Sequence, residues 1–295
     1  MSDEKVHITA ERPLVIIMQG GAMLAAFGAG VLYELAERGI FPHTIASASA
    51  GIPTAAYYAA RQHEDMRAVW TKDLRGNFVN VFNLLFGKPI FNIQHVLHEV
   101  LRKRNPLSVE SLARSQTRLV IPLYNYQKGG TELRTNKDEN FLEHVWSLLH
   151  VSLIVHPEHI LYGTPFEQYI DGALDPFALY KEDFFPDNAR VLVIWNESKF
   201  GMHPLKYIGQ KLFIWLQLRG APEGMVRALY KRDTMISEGV KAYEEFCIRR
   251  KPIVVQPNSS SLSELFTLLS NGGPALEGLF EHGRSKGRAV AEDLL

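Results

Sequence analysis

Ile45-Ala46-Ser47-Ala48-Ser49-Ala50-Gly51 is a short apolar run that ends in small residues and opens onto a helix-like segment. It has the form of a nucleophile elbow. A strand turns sharply into a helix there, and only small side chains let the serine project at the apex. Such an elbow reads G-x-S-x-G, and Ser47 stands at its first glycine. Small-residue runs also pack helices against strands. The weight of the reading therefore comes from its company: Gly20-Gly21 upstream and Asp171-Gly172 downstream.

Working outward, residues 14–18 form an apolar, β-branched run that predicts a buried strand. Gln19-Gly20-Gly21-Ala22 breaks it. A helix is expected over 25–38, with Phe27, Val31, Leu32 and Leu35 at helical spacing and Gly39 as its stop. The next strand is expected at 43–48 and the next helix at 52–63, where Pro53 falls early and its missing N–H is harmless. Strand, Gly turn, helix, strand, tight turn, helix is a parallel α/β unit. Further strands are predicted at 118–124, 190–195 and 252–256, with a short pairing strand at 131–135. Further helices are predicted at 94–103, 140–149, 222–249 and 278–295. The Ser-rich stretch 258–263 reads as a loop, not a linker, so residues 1–295 read as one domain.

Composition narrows the function. Thirty-two basic residues balance 32 acidic ones, which leaves no bulk electrostatic case for nucleic acid as a partner. The apolar fraction of 46% is ample for a core. A single cysteine, Cys247, excludes an internal disulfide and a cysteine metal cluster. The polar start Met1-Ser2-Asp3-Glu4-Lys5 lacks the apolar region of a secretory signal. No apolar run approaches the roughly 20 residues of a spanning helix. The reading is a cytoplasmic protein with room for a peripheral membrane contact. The apolar stretch 205–218, with Lys206, Lys211 and Arg219 around it, reads as a core helix or as an interfacial one. The stretch 81–91 reads as a buried loop or as the lip of an acyl channel.

A serine hydroxyl attacks well only when a base takes its proton and donors stabilise the oxyanion. Ser49 is the candidate nucleophile. The backbone amides of Gly20, Gly21 and Ala22, at a strand-to-helix turn, are the candidate oxyanion donors. Asp171, in Tyr169-Ile170-Asp171-Gly172-Ala173, is presented by a turn and is the candidate base. No G-x-G-x-x-G or Gly-Lys-Ser/Thr loop is present, which disfavours a nucleotide site. His95-x-x-His98 and His156-Pro-Glu-His159 read as surface or capping histidines, not metal ligands. The order Ser49, Asp171, His282 would also satisfy an α/β-hydrolase triad, but Ser49 follows only the second strand, so a dyad is preferred.

The chain resembles the patatin-like phospholipase family. Gly20-Gly21-Ala22-Met23-Leu24-Ala25-Ala26-Phe27 is similar to the family's G-G-G-x-R-G-x-F. Ser47-Ala48-Ser49-Ala50-Gly51 falls at its G-x-S-x-G, and Asp171-Gly172-Ala173 at its D-G-[GA]. The tail from His282 to Ala289 resembles the closing helix of such proteins. The resemblance implies a three-layer α/β fold with a mainly parallel central sheet. It also implies a Ser49–Asp171 dyad acting on a lipid or other acyl-ester substrate, with no metal or organic cofactor. A scaffold that binds lipid or protein without turnover, or an acyltransferase using the same dyad, are the alternatives. Three departures bear on the oxyanion turn. Ala22 replaces the third glycine and can offer its N–H if its φ is negative. Leu24 replaces the arginine and makes the turn more apolar, and Ala25 replaces the next glycine. At the elbow, Ser47 narrows the space where helix meets strand.

Overall fold

A computed structural model describes residues 12–74, 78–181, 184–197, 220–258 and 273–295. The stretch 205–218, residues 1–5 and the Ser-rich loop beyond Asn258 lie outside the described residues.

The strands among the described residues are β1 Leu14–Met18, β2 Thr44–Ser47, β3 Arg118–Asn125, β4 Gly130–Thr135, β5 Tyr169–Asp171, β6 Arg190–Ile194 and β7 Ile253–Val255. They form one sheet in the order β4-β3-β2-β1-β6-β7, with β5 pairing β3. The pairs β1–β2, β1–β6, β2–β3 and β6–β7 are parallel. The β4 and β5 strands run antiparallel to β3. The helices are α1 Ala25–Glu37, α2 Gly51–Ala59, α3 His63–Ala68, α4 Val109–Arg114, α5 Phe141–Val151, α6 Ala178–Lys181, α7 Glu223–Tyr230, α8 Arg232–Arg250 and α9 Pro274–Leu294. His95–Arg104 is a wider, π-type helix.

Strand periodicity divides the core into two layers, because successive side chains point to opposite faces. Leu14, Ile16 and Met18 join Phe27, Val31, Leu35 and Phe280 on one side of the sheet. Val15 and Ile17 join Val191, Val193, Phe177, Tyr180 and Phe246 on the other. Helices therefore cover both faces of a mainly parallel sheet, which is the three-layer α/β architecture expected.

The expected elements recur with shifted ends. One difference is larger: the helix expected over 222–249 is two helices, broken at Lys231. The apolar stretch at 81–91 forms a short helical turn, Val81–Phe86, on which Phe82 and Phe86 are both 72% exposed.

Candidate active site

The turn after β1 and the elbow after β2 lie side by side because β1 and β2 are parallel neighbours. Met18 pairs with Ser47, so both strands end at the same level. Gly20 sits so close to the elbow that a Cβ there would stand 2.9 Å from the Ser49 Cβ and 3.0 Å from the Ala48 carbonyl oxygen. Only glycine leaves room.

Ser49 has φ +52°, a left-handed conformation that costs a non-glycine residue on the order of 1–3 kcal/mol. The strain lifts the side chain to the apex and leaves it part-exposed, one residue before Ala50 caps α2. Ser47 is fully buried, and its hydroxyl donates to the Met18 carbonyl at 3.0 Å. A Cβ at Gly51 would overlap the Ser47 Oγ. Serine at the elbow's first position thus makes the glycine at its last one obligatory.

Ala22 also has a positive φ, +47°, where the sequence reading required a negative one. The backbone leaves Gly21 at φ 130° and must bend at once into the helical turn Ala22–Leu24. Ala22 absorbs the bend that the glycine of other sequences would take without strain. The N–H groups of Gly20, Gly21 and Ala22 have no hydrogen-bond partner among the described residues. Leu24 presents almost no surface to solvent: it is 2% exposed and packs in the core.

Asp171 ends β5, held opposite Leu123 of β3. Its N–H donates to the Ile154 carbonyl at 3.1 Å, and its Oδ1 accepts from the Ala173 N–H at 2.8 Å. Gly172 must lack a side chain because a Cβ would overlap the Pro122 carbonyl. The carboxyl is 4% exposed, and burial pushes its pKa up from 3.8 to about 7. Opposing that rise are the Ser49 hydroxyl, the Ala173 N–H, the charge of Arg232 and the Ser49 N–H. The fold thus brings Ser49 and Asp171 near enough, across 122 residues of sequence, for the serine hydroxyl and amide to hold the carboxyl's pKa down.

His282 is not among the groups that act on Asp171. It packs edge-on against Phe27, with ring centroids 5.5 Å apart, and its charged neighbour is Lys286. His156 is a buried cap: its Nδ1 accepts from the Glu158 N–H and its Nε2 meets the Gly87 carbonyl, both at 3.2 Å. Glu37, His63 and Glu64 could together hold a metal ion, but they sit where α1 ends, opposite the glycine turn.

Two residues near the site escape sequence reading. Arg232, part-buried at the start of α8, acts on Asp171 and Glu197. Asn196, fully buried just beyond β6, bonds the glycine turn. The one local signal for Asn196 is a polar residue directly after the apolar run Val191–Trp195, where a central strand ends. Arg232 has none, since it starts a helix whose placement depends on the whole fold.

Comparison with known proteins adds three findings. A family model described as patatin-like phospholipase matches residues 16–178, which include the glycine turn, the elbow and Asp171-Gly172-Ala173. The crystal structure of VipD from Legionella pneumophila matches with a TM-score of 0.44 and 10% identity, over 96% of this chain and 67% of that one. No curated protein matches.

Proposed function

The chain belongs to the patatin-like phospholipase family, and from that premise we propose that it hydrolyses the acyl esters of phospholipids or lysophospholipids through a Ser49–Asp171 dyad. The observation that carries the proposal is the coupling of a strained, part-exposed serine to a buried carboxylate whose pKa lies at about 7. A base poised near neutrality is matched to taking a hydroxyl proton.

The Ser49 Oγ attacks the ester carbonyl carbon and its proton passes to Asp171. The carbonyl electrons collect on oxygen, where the Gly20, Gly21 and Ala22 N–H groups receive them. Collapse of the tetrahedral adduct breaks the bond to the alcohol, which takes the proton back from Asp171. Water then attacks the acyl-serine and gives a proton to Asp171; collapse breaks the acyl–Oγ bond, Ser49 Oγ takes that proton back from Asp171, and the fatty acid leaves. No step uses a metal or an organic cofactor.

Retained strain at Ser49 favours turnover over a scaffold role, since a binding module has no use for a serine held at positive φ. The test is covalent labelling with a fluorophosphonate together with p-nitrophenyl ester turnover. Ser49→Ala should abolish both, whereas His282→Ala should change turnover little. Turnover that survives in Ser49→Ala refutes the dyad. Its collapse in a folded His282→Ala variant would support the triad order instead.

A further inference from the structure

Asn196 makes three hydrogen bonds from a site with no solvent access. Its Nδ2 donates to the carbonyls of Gln19 and Gly20, the second at 3.0 Å, and its Oδ1 accepts from the Gly28 N–H of α1 at 2.9 Å. One donor group toward two carbonyls and one acceptor toward an N–H leave the amide a single satisfactory orientation. Gly28 is the counterpart of this arrangement, since a Cβ there would stand 2.8 Å from Oδ1.

The consequence follows from peptide geometry. In a trans peptide the N–H points opposite to the C=O, and the described chain has no cis bond. Holding the Gln19 and Gly20 carbonyls toward Asn196 aims the N–H groups of Gly20 and Gly21 the other way. The sheet order says what lies there. Strand β1 runs between β6 and β2, so the turn after β1 has Asn196 on its β6 flank and Ser49 on its β2 flank. The Gln19 carbonyl oxygen lies between the Asn196 amide and Gly51, where a Cβ would stand 3.2 Å from it, so the two carbonyls point beneath the turn into buried space and their N–H groups point out of it, to the part-exposed side on which Ser49 adjoins Gly20.

We propose that Asn196 is the positioning residue of the oxyanion site, locking two peptide planes so that the Gly20 and Gly21 N–H groups face the oxyanion that forms at Ser49. It touches no substrate and acts through the turn. Among the described residues no other hydrogen bond is donated to those two carbonyls; glycine tolerates many backbone conformations, and a turn that must reorganise during reaction stabilises charge poorly. The inference rests on the serine-hydrolase reading of the site.

The experiment measures p-nitrophenyl butyrate turnover in Asn196→Ala and Asn196→Asp. It also measures their inhibition by an alkyl trifluoromethyl ketone, which forms a tetrahedral oxyanion on serine, and by the matching methyl ketone. The aspartate keeps the acceptor for Gly28 and loses the amide donors. The expected result is a fall in kcat of about 100-fold, the scale of a lost oxyanion donor, with KM within about twofold. Trifluoromethyl ketone affinity should fall in step with kcat/KM while methyl ketone affinity holds. In the unaltered protein, the Gly20 and Gly21 amide proton resonances should move downfield on adding the trifluoromethyl ketone and not the methyl ketone, a readout that needs no variant to fold. Folded variants with near-normal kcat, equal weakening of both ketones, or unmoved glycine resonances would each overturn the proposal. Failure of the underlying reading looks different: Ser49→Ala would keep its turnover.

Discussion

Burial of Asp171 has opposite effects on activity and on stability. As the proposed base it must be ionised, so ester turnover should rise with pH through about 7 and then level off. As a buried acid it holds a proton in the folded chain at pH values where the unfolded chain, with an ordinary value of 3.8, has lost it. Folding is therefore unburdened below the ordinary value. Stability is lost as pH rises from there to about 7, and the full cost persists above. Asp171→Asn should abolish turnover yet melt several degrees above wild type at pH 8, with the gain vanishing toward pH 4. Calorimetry at the two pH values checks this. Arg232 opposes the rise, so Arg232→Met should move the midpoint of the pH–rate curve to higher pH. A midpoint that stays in place or falls would remove Arg232 from the site's electrostatics. The two left-handed residues of the site, Ser49 and Ala22, can be tested separately. Ser49→Gly should be inactive but more stable than Ser49→Ala, and Ala22→Gly should gain about 1 kcal/mol in a urea titration. The elbow and the aspartate were readable in the sequence because steric demand confines their neighbours to small residues. The sign of φ at Ala22 was not, because it depends on how far the chain must bend between β1 and α1.

Among the elements, the contact between α1 and α9 is the tightest constraint. A Cβ at Gly30 would overlap the Phe280 carbonyl, and one at Gly283 would overlap the Phe27 carbonyl. Both obstacles are backbone, so no rotamer change relieves them. At Gly287 a Cβ would approach the Glu34 Cβ and the Val31 carbonyl at 3.0 Å. Next to this crossing, the buried Glu34 receives Arg38, Arg284 and Arg288 at 3.3 to 3.5 Å. Gly30→Ala and Gly283→Ala should each cost about 3 kcal/mol in chemical denaturation. Turnover should fall as well, because α1 carries Gly28 and begins at the oxyanion turn. Alternation of strand and helix was legible because apolar periods of two and of about four residues differ plainly in sequence. The break at Lys231 was not, since no glycine or proline marks it. Helix α3, only six residues long, gave too short a pattern to separate from the helix before it.

Over the whole molecule, the site occupies the crevice at the carboxyl ends of β1, β2 and β6, where chain connections diverge to either side of β1 and parallel α/β sheets hold their ligands. No helix among the described residues is long and apolar enough to cross a membrane. The turn bearing Phe82 and Phe86 is tied toward the site: His156 meets the Gly87 carbonyl, and two residues earlier Ile154 accepts from the Asp171 N–H. Exposed aromatic rings on a turn tied toward the proposed lipid-hydrolysing site suit a bilayer surface. Phe82→Asp/Phe86→Asp should weaken sedimentation with phosphatidylcholine vesicles while leaving hydrolysis of soluble p-nitrophenyl butyrate unchanged. Equal loss of both would place those rings in the site instead.

The same crossing of α1 by α9 also orders events in time. A ribosome makes α1 well before α9, so the glycine turn, the serine and the aspartate are all synthesised while the flank of α1 from Phe27 to Glu34 still lacks its cover. A nascent chain stopped at Gly273 should carry every reacting group and still fail to take up a fluorophosphonate. Supplying residues 274–295 as a separate peptide should restore labelling. On this account translation itself delays the proposed activity: it arrives only with α9, after the site has been assembled in every other respect.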